Sequence, residues 1–177
     1  MMKIAVLASG HGSNLEALLA TVHGQEAEIV CVAGDRPQAR ALAIAAQAGI
    51  PTRAFPREEF SDRDARDDAM ADWIREHGAF AVVTAGYMTI LSRRFVAAFA
   101  DRIVNVHPSL LPAFPGLDGV GQAVAYGVRV FGVTVHLVDD GVDSGPILLQ
   151  DAVVLTGTPT AEEVLAALRP LEHRLLP

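Results

Sequence analysis

The chain has 177 residues and a formal net charge of −7, from 14 Lys and Arg residues against 21 Asp and Glu residues. Hydrophobic residues make up 51% of the chain and charged residues 20%, which is typical of one globular domain and excludes a disordered chain. The acidic balance argues against a dedicated nucleic-acid-binding protein. The single cysteine, Cys31, excludes an internal disulfide framework and a multi-cysteine zinc site.

Short runs rich in Val and Ile alternate with helical patterns along the first 106 residues. In chain order they predict a strand over Lys3–Ala8, a helix over Leu15–Val22, a strand over Ala27–Ala33, a helix over Gln38–Ala48, a short strand over Thr52–Ala54, a helix over Asp62–His77, and strands over Ala81–Ala85 and Ile103–Val106. This alternation predicts an α/β fold, a mostly parallel twisted sheet with helices on both faces and a Rossmann-like N-terminal half. Cys31 falls inside a predicted strand and is interpreted as a core residue.

The pattern changes after Val106. A loop rich in Pro and Gly covers residues 108–121 and leads to a short helix over Gln122–Tyr126. Strands over Val130–Val138 and Ile147–Leu155 follow, and the chain closes with an amphipathic helix carrying Val164, Leu165, Leu168, Leu171 and Leu175. Pro170 is expected to kink or restart that helix. No linker divides the chain, so we predict one domain with a nucleotide-type half, 1–100, and a second half, 101–177.

The longest apolar stretch, residues 79–91, is too short to span a membrane. The N-terminal apolar run is too short for a signal peptide. We therefore expect a cytoplasmic protein without a membrane partner.

A glycine-rich turn, Gly10-His11-Gly12-Ser13-Asn14, separates the first strand from the first helix. Glycines let the backbone approach a ligand closely, and a helix N-terminus offers N–H groups to an anion. Ser13 or Asn14 is positioned to cap the helix or to donate to a phosphate. The turn fits a phosphate site and a plain strand-to-helix connection about equally well, since it lacks the third glycine of dinucleotide folds and the Gly-Lys of a Walker loop.

Asn105 and His107 alternate at the end of a predicted strand, so their side chains point to one face. In open α/β sheets, ligands bind at that end of the strands. Asn can donate to a developing oxyanion, and His can act as a general acid or base near neutral pH. The alternative is a polar strand end that meets solvent.

An acidic turn carries Asp139, Asp140 and Asp143. Three carboxylates on one turn suit a hard cation, or they can charge and orient a nearby histidine, or they can simply form the turn. His136, in the preceding Val- and Leu-rich strand, is interpreted as a hydrogen-bonded structural histidine.

Taken together, these segments resemble the folate-dependent formyltransferases. The matching pieces are Gly12-Ser13-Asn14, residues 85–92, residues 105–112, residues 132–139 and residues 143–147. Within the family, Asn-x-His-Pro-Ser-Leu-Leu-Pro with a downstream Asp is specific for folate formyl transfer, and Gly-Ser-Asn favours the phosphoribosylglycinamide formyltransferases over methionyl-tRNA formyltransferase and formyltetrahydrofolate hydrolase. The resemblance covers the chain from Lys3 to its end.

The resemblance implies a role for each matching residue. Asn105, His107 and Asp143 would be catalytic, and Gly12, Ser13 and Asn14 would hold the substrate phosphate. Arg169 and Glu172 would contact the ribose and amine side of the substrate. The folate-binding site would be lined by Arg63, Met88, Thr89, Ile90, Leu91, Asn105, Asp139, Asp140, Gly141, Val142 and Asp143.

The resemblance also implies the reaction. The amine of 5-phosphoribosylglycinamide would attack the formyl carbon of 10-formyltetrahydrofolate, the co-substrate, in purine synthesis. Asn105 and protonated His107 would stabilise the oxyanion, and Asp143 would keep His107 charged and oriented. The implied partners are small molecules and not nucleic acid, no metal is needed, and the protein would be a monomer or homodimer.

Two features depart from the family pattern. Asp118 stands where the family usually has a histidine, and the chain is expected to stop before the family's final helix is complete. Two other functions therefore stay open: formyl transfer to another amine such as an amino sugar, and a catalytically silent folate- or nucleotide-binding relative.

Overall fold

The structure, a computed structural model, describes residues 1–177. The strands are β1 (Met2–Leu7), β2 (Ala27–Gly34), β3 (Thr52–Ala54), β4 (Ala81–Thr84), β5 (Ile103–His107), β6 (Val130–Leu137) and β7 (Ile147–Val154). The helices are α1 (Ser13–Thr21), α2 (Arg40–Gln47), α3 (Arg63–Glu76), α4 (Arg93–Ala98), α5 (Gly119–Tyr126) and α6 (Ala161–Leu175). None of the helices has both the length and the apolar character that a membrane span requires.

The seven strands form one sheet in the order β3-β2-β1-β4-β5-β6-β7. The pairs β1–β2, β1–β4 and β2–β3 are parallel, and β6–β7 is antiparallel. The predicted α/β class with a mostly parallel sheet is therefore confirmed. The chain divides into two compact units, Met1–Val104 and Asn105–Pro177, and whether they behave as one domain stays a prediction.

The first unit is built around β1. Ala5, Val6 and Leu7 are fully buried, as expected for a strand covered on both faces. Cys31 on β2 is also fully buried, and this burial raises the pKa of its thiol to about 12. The interpretation of Cys31 as a core residue is confirmed, because a thiol with such a pKa stays protonated and unreactive at neutral pH.

The second unit contains an uninterrupted C-terminal helix, Ala161–Leu175, so a restart at Pro170 is wrong, whereas a kink there stays a prediction. Val164 and Leu168 are buried one turn apart, and a Thr160–Glu163 capping box fixes the first turn. Pro170 is exposed, so its ring lies away from the packed side of α6. Leu165 is also exposed and does not belong to the apolar face.

Two other helices differ from the sequence prediction. Helix α4 was not predicted, and α5 begins at Gly119 instead of Gln122. Both are started by a polar side chain that caps the first turn: Ser92 accepts from Phe95 N–H, and Asp118 accepts from Gly121 N–H. These local hydrogen bonds, and not hydrophobic periodicity, set the first residues of both helices.

A buried ion pair connects α3 to the start of α4. Asp67 is fully buried, and its Oδ1 accepts from Arg66 Nε at 2.8 Å and Nη2 at 2.5 Å. Its Oδ2 accepts from the backbone N–H of Ser92 at 2.6 Å. Because Ser92 caps α4, the Asp67 carboxylate fixes the segment that leads from β4 into that helix.

Replacing Asp67 by Ala leaves the buried Arg66 charge without its partner. We expect a loss of about 3–5 kcal/mol in the free energy of unfolding, measured by urea denaturation. The matched control is Asp68→Ala. Asp68 pairs with Arg94 on the surface, where an ion pair contributes at most about 1 kcal/mol. Equal losses in the two variants would contradict a structural role for the buried pair.

Candidate active site

The glycine-rich turn of the first unit joins β1 to α1. Gly12 is the N-cap residue with φ 80°, and no side chain caps the helix, so the prediction that Ser13 or Asn14 caps it is wrong. A Cβ at Gly12 would lie 2.9 Å from Ala41 Cα, which leaves room only for glycine. An uncapped helix start, held close against α2, is the arrangement that binds anions through backbone N–H groups.

The loop after β4 is held at three points within the first unit. Met88 N–H donates to Ser9 Oγ at 2.8 Å, Thr89 Oγ1 donates to Asp35 Oδ2 at 2.7 Å, and Ser92 is held by Asp67. Between these points the side chains of Met88 and Ile90 are exposed. The loop thus presents apolar side chains on a fixed backbone, a surface suited to a flat aromatic ligand.

Two other observations concern the predicted folate residues of this unit. Thr89 lines a cavity of about 340 Å³ together with Asp35 and Arg66. Arg63 is the first residue of α3, and its guanidinium is on the exposed surface.

The second unit brings the three predicted catalytic residues together around Asp143. His107 Nδ1 lies 3.3 Å from Asp143 Oδ2, and Asn105 Nδ2 lies 3.5 Å from Asp143 Oδ1. Gly116 N–H donates to Oδ2 at 2.8 Å, and His136 Nε2 is 3.5 Å from Oδ1. One carboxylate therefore contacts two histidines, an amide and a backbone donor.

Local structure explains why these side chains meet. Asn105 and His107 alternate on β5, and His136 lies at the end of β6. Asp143 lies in the turn between β6 and β7 with φ 52°, a left-handed conformation that Asp adopts more readily than most residues.

Both ring nitrogens of His107 face hydrogen-bond acceptors. Nδ1 faces Asp143, and Nε2 lies 2.9 Å from the carbonyl oxygen of Phe114. Only the doubly protonated ring can donate to both. A Cβ at Gly119 would lie 2.9 Å from His107 Nε2, so the start of α5 packs directly on this nitrogen. The geometry suits an imidazolium that donates from Nε2.

Several opposing effects act on the Asp143 carboxyl. Burial raises its pKa, whereas the hydrogen bond from Gly116 N–H and the charge of His107 lower it. The net pKa lies below its ordinary value of 3.8. Gly116 N–H donates at 2.8 Å to Oδ2, the same oxygen that faces His107 Nδ1. The carboxyl is therefore ionised at neutral pH, as a partner for an imidazolium must be.

The rest of the acidic turn has a structural role. Asp139 Oδ1 accepts from Gly141 N–H at 3.0 Å and from Ser144 Oγ at 2.7 Å. Asp140 and Val142 are exposed. No group of three or more His, Cys, Asp and Glu side chains is arranged to hold a metal ion.

The predicted substrate residues of this unit lie on α6. Arg169 and Glu172 are three residues apart and so share one side of the helix. Arg169 is exposed, and Glu172 is partly buried.

Sequence reasoning missed one member of the cluster, His136. Its interpretation as a hydrogen-bonded structural histidine agrees with its burial and with the contacts of both ring nitrogens, but it did not place the ring in this cluster. Its Nε2 is 3.0 Å from Asn105 Nδ2, which places the ring against a predicted catalytic amide. A usable signal was its place at the carboxyl end of β6, where site residues gather in such sheets.

Comparison with known proteins gives the family. Residues 2–177 match the formyl transferase family. The chain belongs to this family. It is 39% identical, over its full length and 92% of the relative's, to "Phosphoribosylglycinamide formyltransferase" of Bacillus subtilis (strain 168). It is 45% identical over 98% of its length and 81% of the relative's to the protein of the same name from Mycobacterium tuberculosis (strain CDC 1551 / Oshkosh).

Solved structures agree with this assignment. The crystal structure of glycinamide ribonucleotide transformylase 1 from Symbiobacterium toebii superposes with a TM-score of 0.95 at 40% identity. The superposition covers 99% of this chain and 84% of that one. Membership of the family and its fold, implied by the resemblance of the motifs, is confirmed.

The lowered pKa of Asp143 predicts a pH dependence of stability. A carboxyl with a depressed pKa stabilises the folded state above its unfolded pKa, and this contribution is lost as the pH falls through the folded pKa. We therefore expect wild type to be more stable than Asp143→Asn at neutral pH and to lose that advantage as the pH falls below 3.8, its ordinary value. Urea denaturation at a series of pH values measures the difference. The exposed Asp140→Asn variant is the control, and its free energy of unfolding should differ from that of wild type by a small, nearly constant amount at all pH values. A pH-independent difference between wild type and Asp143→Asn would contradict the prediction.

Proposed function

We propose that this protein transfers the formyl group of 10-formyltetrahydrofolate to the amine of phosphoribosylglycinamide, a step of purine synthesis. The observation that carries the proposal is the cluster of Asn105, His107 and Asp143, in which an imidazole and an amide lie around one carboxylate. The names of the similar proteins support the same substrate.

The residue types account for the chemistry. The substrate amine forms a bond to the formyl carbon, and the formyl oxygen becomes an oxyanion. Asn105 and the His107 imidazolium donate hydrogen bonds to that oxygen. The carbon–nitrogen bond to the folate then breaks, and the proton lost by the attacking amine passes to the leaving nitrogen, with His107 or a water molecule as relay. No step needs a metal ion.

The Phe114 carbonyl indicates how His107 meets the oxyanion. It accepts from Nε2 at 2.9 Å, within the range over which a donor stabilises an oxyanion. During the reaction the substrate oxygen takes the place of this carbonyl as the acceptor. Asp143 on the other nitrogen keeps the ring charged and oriented throughout the exchange.

The remaining roles follow the resemblance of the motifs. Gly12, Ser13 and Asn14 bind the phosphate at the start of α1. Arg169 and Glu172 contact the ribose and amine side of the substrate. The folate contacts Arg63, the loop Met88–Leu91 and the turn Asp139–Asp143.

Loss of His107 or of the Asp143 charge tests the proposed mechanism. We expect His107→Ala to lower kcat by about 10²–10³, because it removes an oxyanion donor. We expect Asp143→Asn to lower kcat by a similar factor, because the His107 imidazolium loses its carboxylate partner. The measurement is the spectrophotometric change as 10-formyltetrahydrofolate is consumed. The matched controls are His77→Ala, at the C-cap of α3, and Asp72→Asn, within α3. Both should keep the wild-type kcat.

The choice of acceptor separates the open alternatives. Phosphoribosylglycinamide should react faster than any other amine in a panel that includes amino sugars. Faster transfer to an amino sugar would replace the proposed substrate. A wild-type rate no higher than that of His107→Ala would show a catalytically silent relative.

Asp118 is the residue at which this chain departs from the family pattern. Its exposed carboxylate accepts from Gly121 N–H at 3.1 Å and caps α5. We expect Asp118→His to keep or raise kcat/KM, since the residue is an accessory in the site. In the same variant, loss of the helix cap should lower the free energy of unfolding by about 0.5–2 kcal/mol, measured by urea denaturation. Asp118→Asn keeps a good cap and is the control; a collapse of activity in folded Asp118→His would reveal a direct role for the carboxylate.

A further inference from the structure

The His136 ring is enclosed by the second unit, with 1% of the residue exposed. Its two nitrogens face groups of different kinds. Nδ1 lies 2.9 Å from the carbonyl oxygen of Leu137, and Nε2 lies 3.0 Å from Asn105 Nδ2. The nearest carboxylate oxygen, Asp143 Oδ1, is 3.5 Å from Nε2.

These neighbours determine where the ring carries its proton. A carbonyl oxygen only accepts, so Nδ1 must be the protonated nitrogen. The amide nitrogen of Asn105 only donates, so Nε2 must present its lone pair. A proton on Nε2 would place two donors against each other at 3.0 Å. The arrangement therefore requires the neutral ring with hydrogen on Nδ1.

The charges around the ring favour the same form. Asp143 already faces the His107 imidazolium and the Gly116 N–H through Oδ2. A second buried imidazolium would share that single carboxylate at a separation longer than a good N–H···O bond.

We propose that His136 is a positioning residue that orients the Asn105 amide by accepting one of its N–H groups as a neutral, Nδ1-protonated ring. The terminal torsion of Asn is broad, and the contact of the amide with Asp143 Oδ1 is long at 3.5 Å, so the shorter contact with His136 constrains its orientation more. The bond to Nε2 fixes the plane of the amide, and with it the direction of its remaining polar atoms. The proposal rests on the proposed function, in which Asn105 donates to the oxyanion.

Two substitutions separate hydrogen bonding from packing. His136→Gln can place an amide oxygen near the position of Nε2 and accept from Asn105, whereas His136→Leu fills similar space without an acceptor. We expect His136→Leu to lower kcat about 10- to 100-fold, the scale of a misplaced group, with little change in KM for either substrate. We expect His136→Gln to restore kcat to near the wild-type value at a similar melting temperature. A wild-type kcat in His136→Leu, or equal losses in the two folded variants, would overturn the proposal.

A second measurement does not depend on activity. The ¹⁵N chemical shifts of the His136 ring in the full-length protein should report a neutral ring with hydrogen on Nδ1. The Nε2 signal should move in Asn105→Ala, which removes the donor, and stay in place in the surface control Asp72→Asn. A doubly protonated ring at neutral pH would overturn the proposal. Absence of formyl transfer in the wild type would contradict the proposed function alone, and the ring shifts would still decide the role of His136.

Discussion

Asp143 is placed where the turn between β6 and β7 meets the end of β5, and the arrangement of the second unit depends on its carboxylate. Oδ2 is shared by His107 Nδ1 and Gly116 N–H, while Oδ1 faces Asn105 and His136. The lowered pKa keeps this group ionised across the neutral range. Its charge supports an imidazolium at His107, and in the proposed mechanism that imidazolium donates to an oxyanion. A neutral group at this position would not stabilise a charge on His107, and the ring would then be a weaker hydrogen-bond donor.

The backbone supports this placement with locally unfavourable conformations. Asp143 has φ 52° and Phe114 has φ 54°, and a left-handed conformation at a bulky residue such as Phe costs about 1–3 kcal/mol. In each case the strained residue contacts His107: Asp143 through its carboxylate and Phe114 through its carbonyl oxygen. Hydrogen bonds to the site offset the strain. The two loops thus hold polar groups in place before substrate arrives, which is the condition for electrostatic stabilisation of a transition state.

Different physical signals explain what the sequence could and could not predict. The strands were placed within about one or two residues, and for most of them the signal was a short apolar run rich in Val and Ile. Helix α4 and the first residues of α5 were missed, because Ser92 and Asp118 start them by capping and not by periodicity. Asn105 and His107 stood out by their alternation, whereas His136 lies among apolar residues, and its partners come from β5 and the acidic turn. Such long-range contacts leave no pattern in a single sequence.

The start of α5 connects Asp118 to His107. Asp118 caps the helix, and a Cβ at Gly121 would collide with the capping carboxylate. A Cβ at Gly119 would lie 2.9 Å from His107 Nε2 and 2.8 Å from the Phe114 carbonyl oxygen. The cap therefore requires glycine at position 121, and the packing of the first turn onto His107 Nε2 requires glycine at position 119. The carboxylate at position 118 therefore caps the turn that packs onto His107 Nε2.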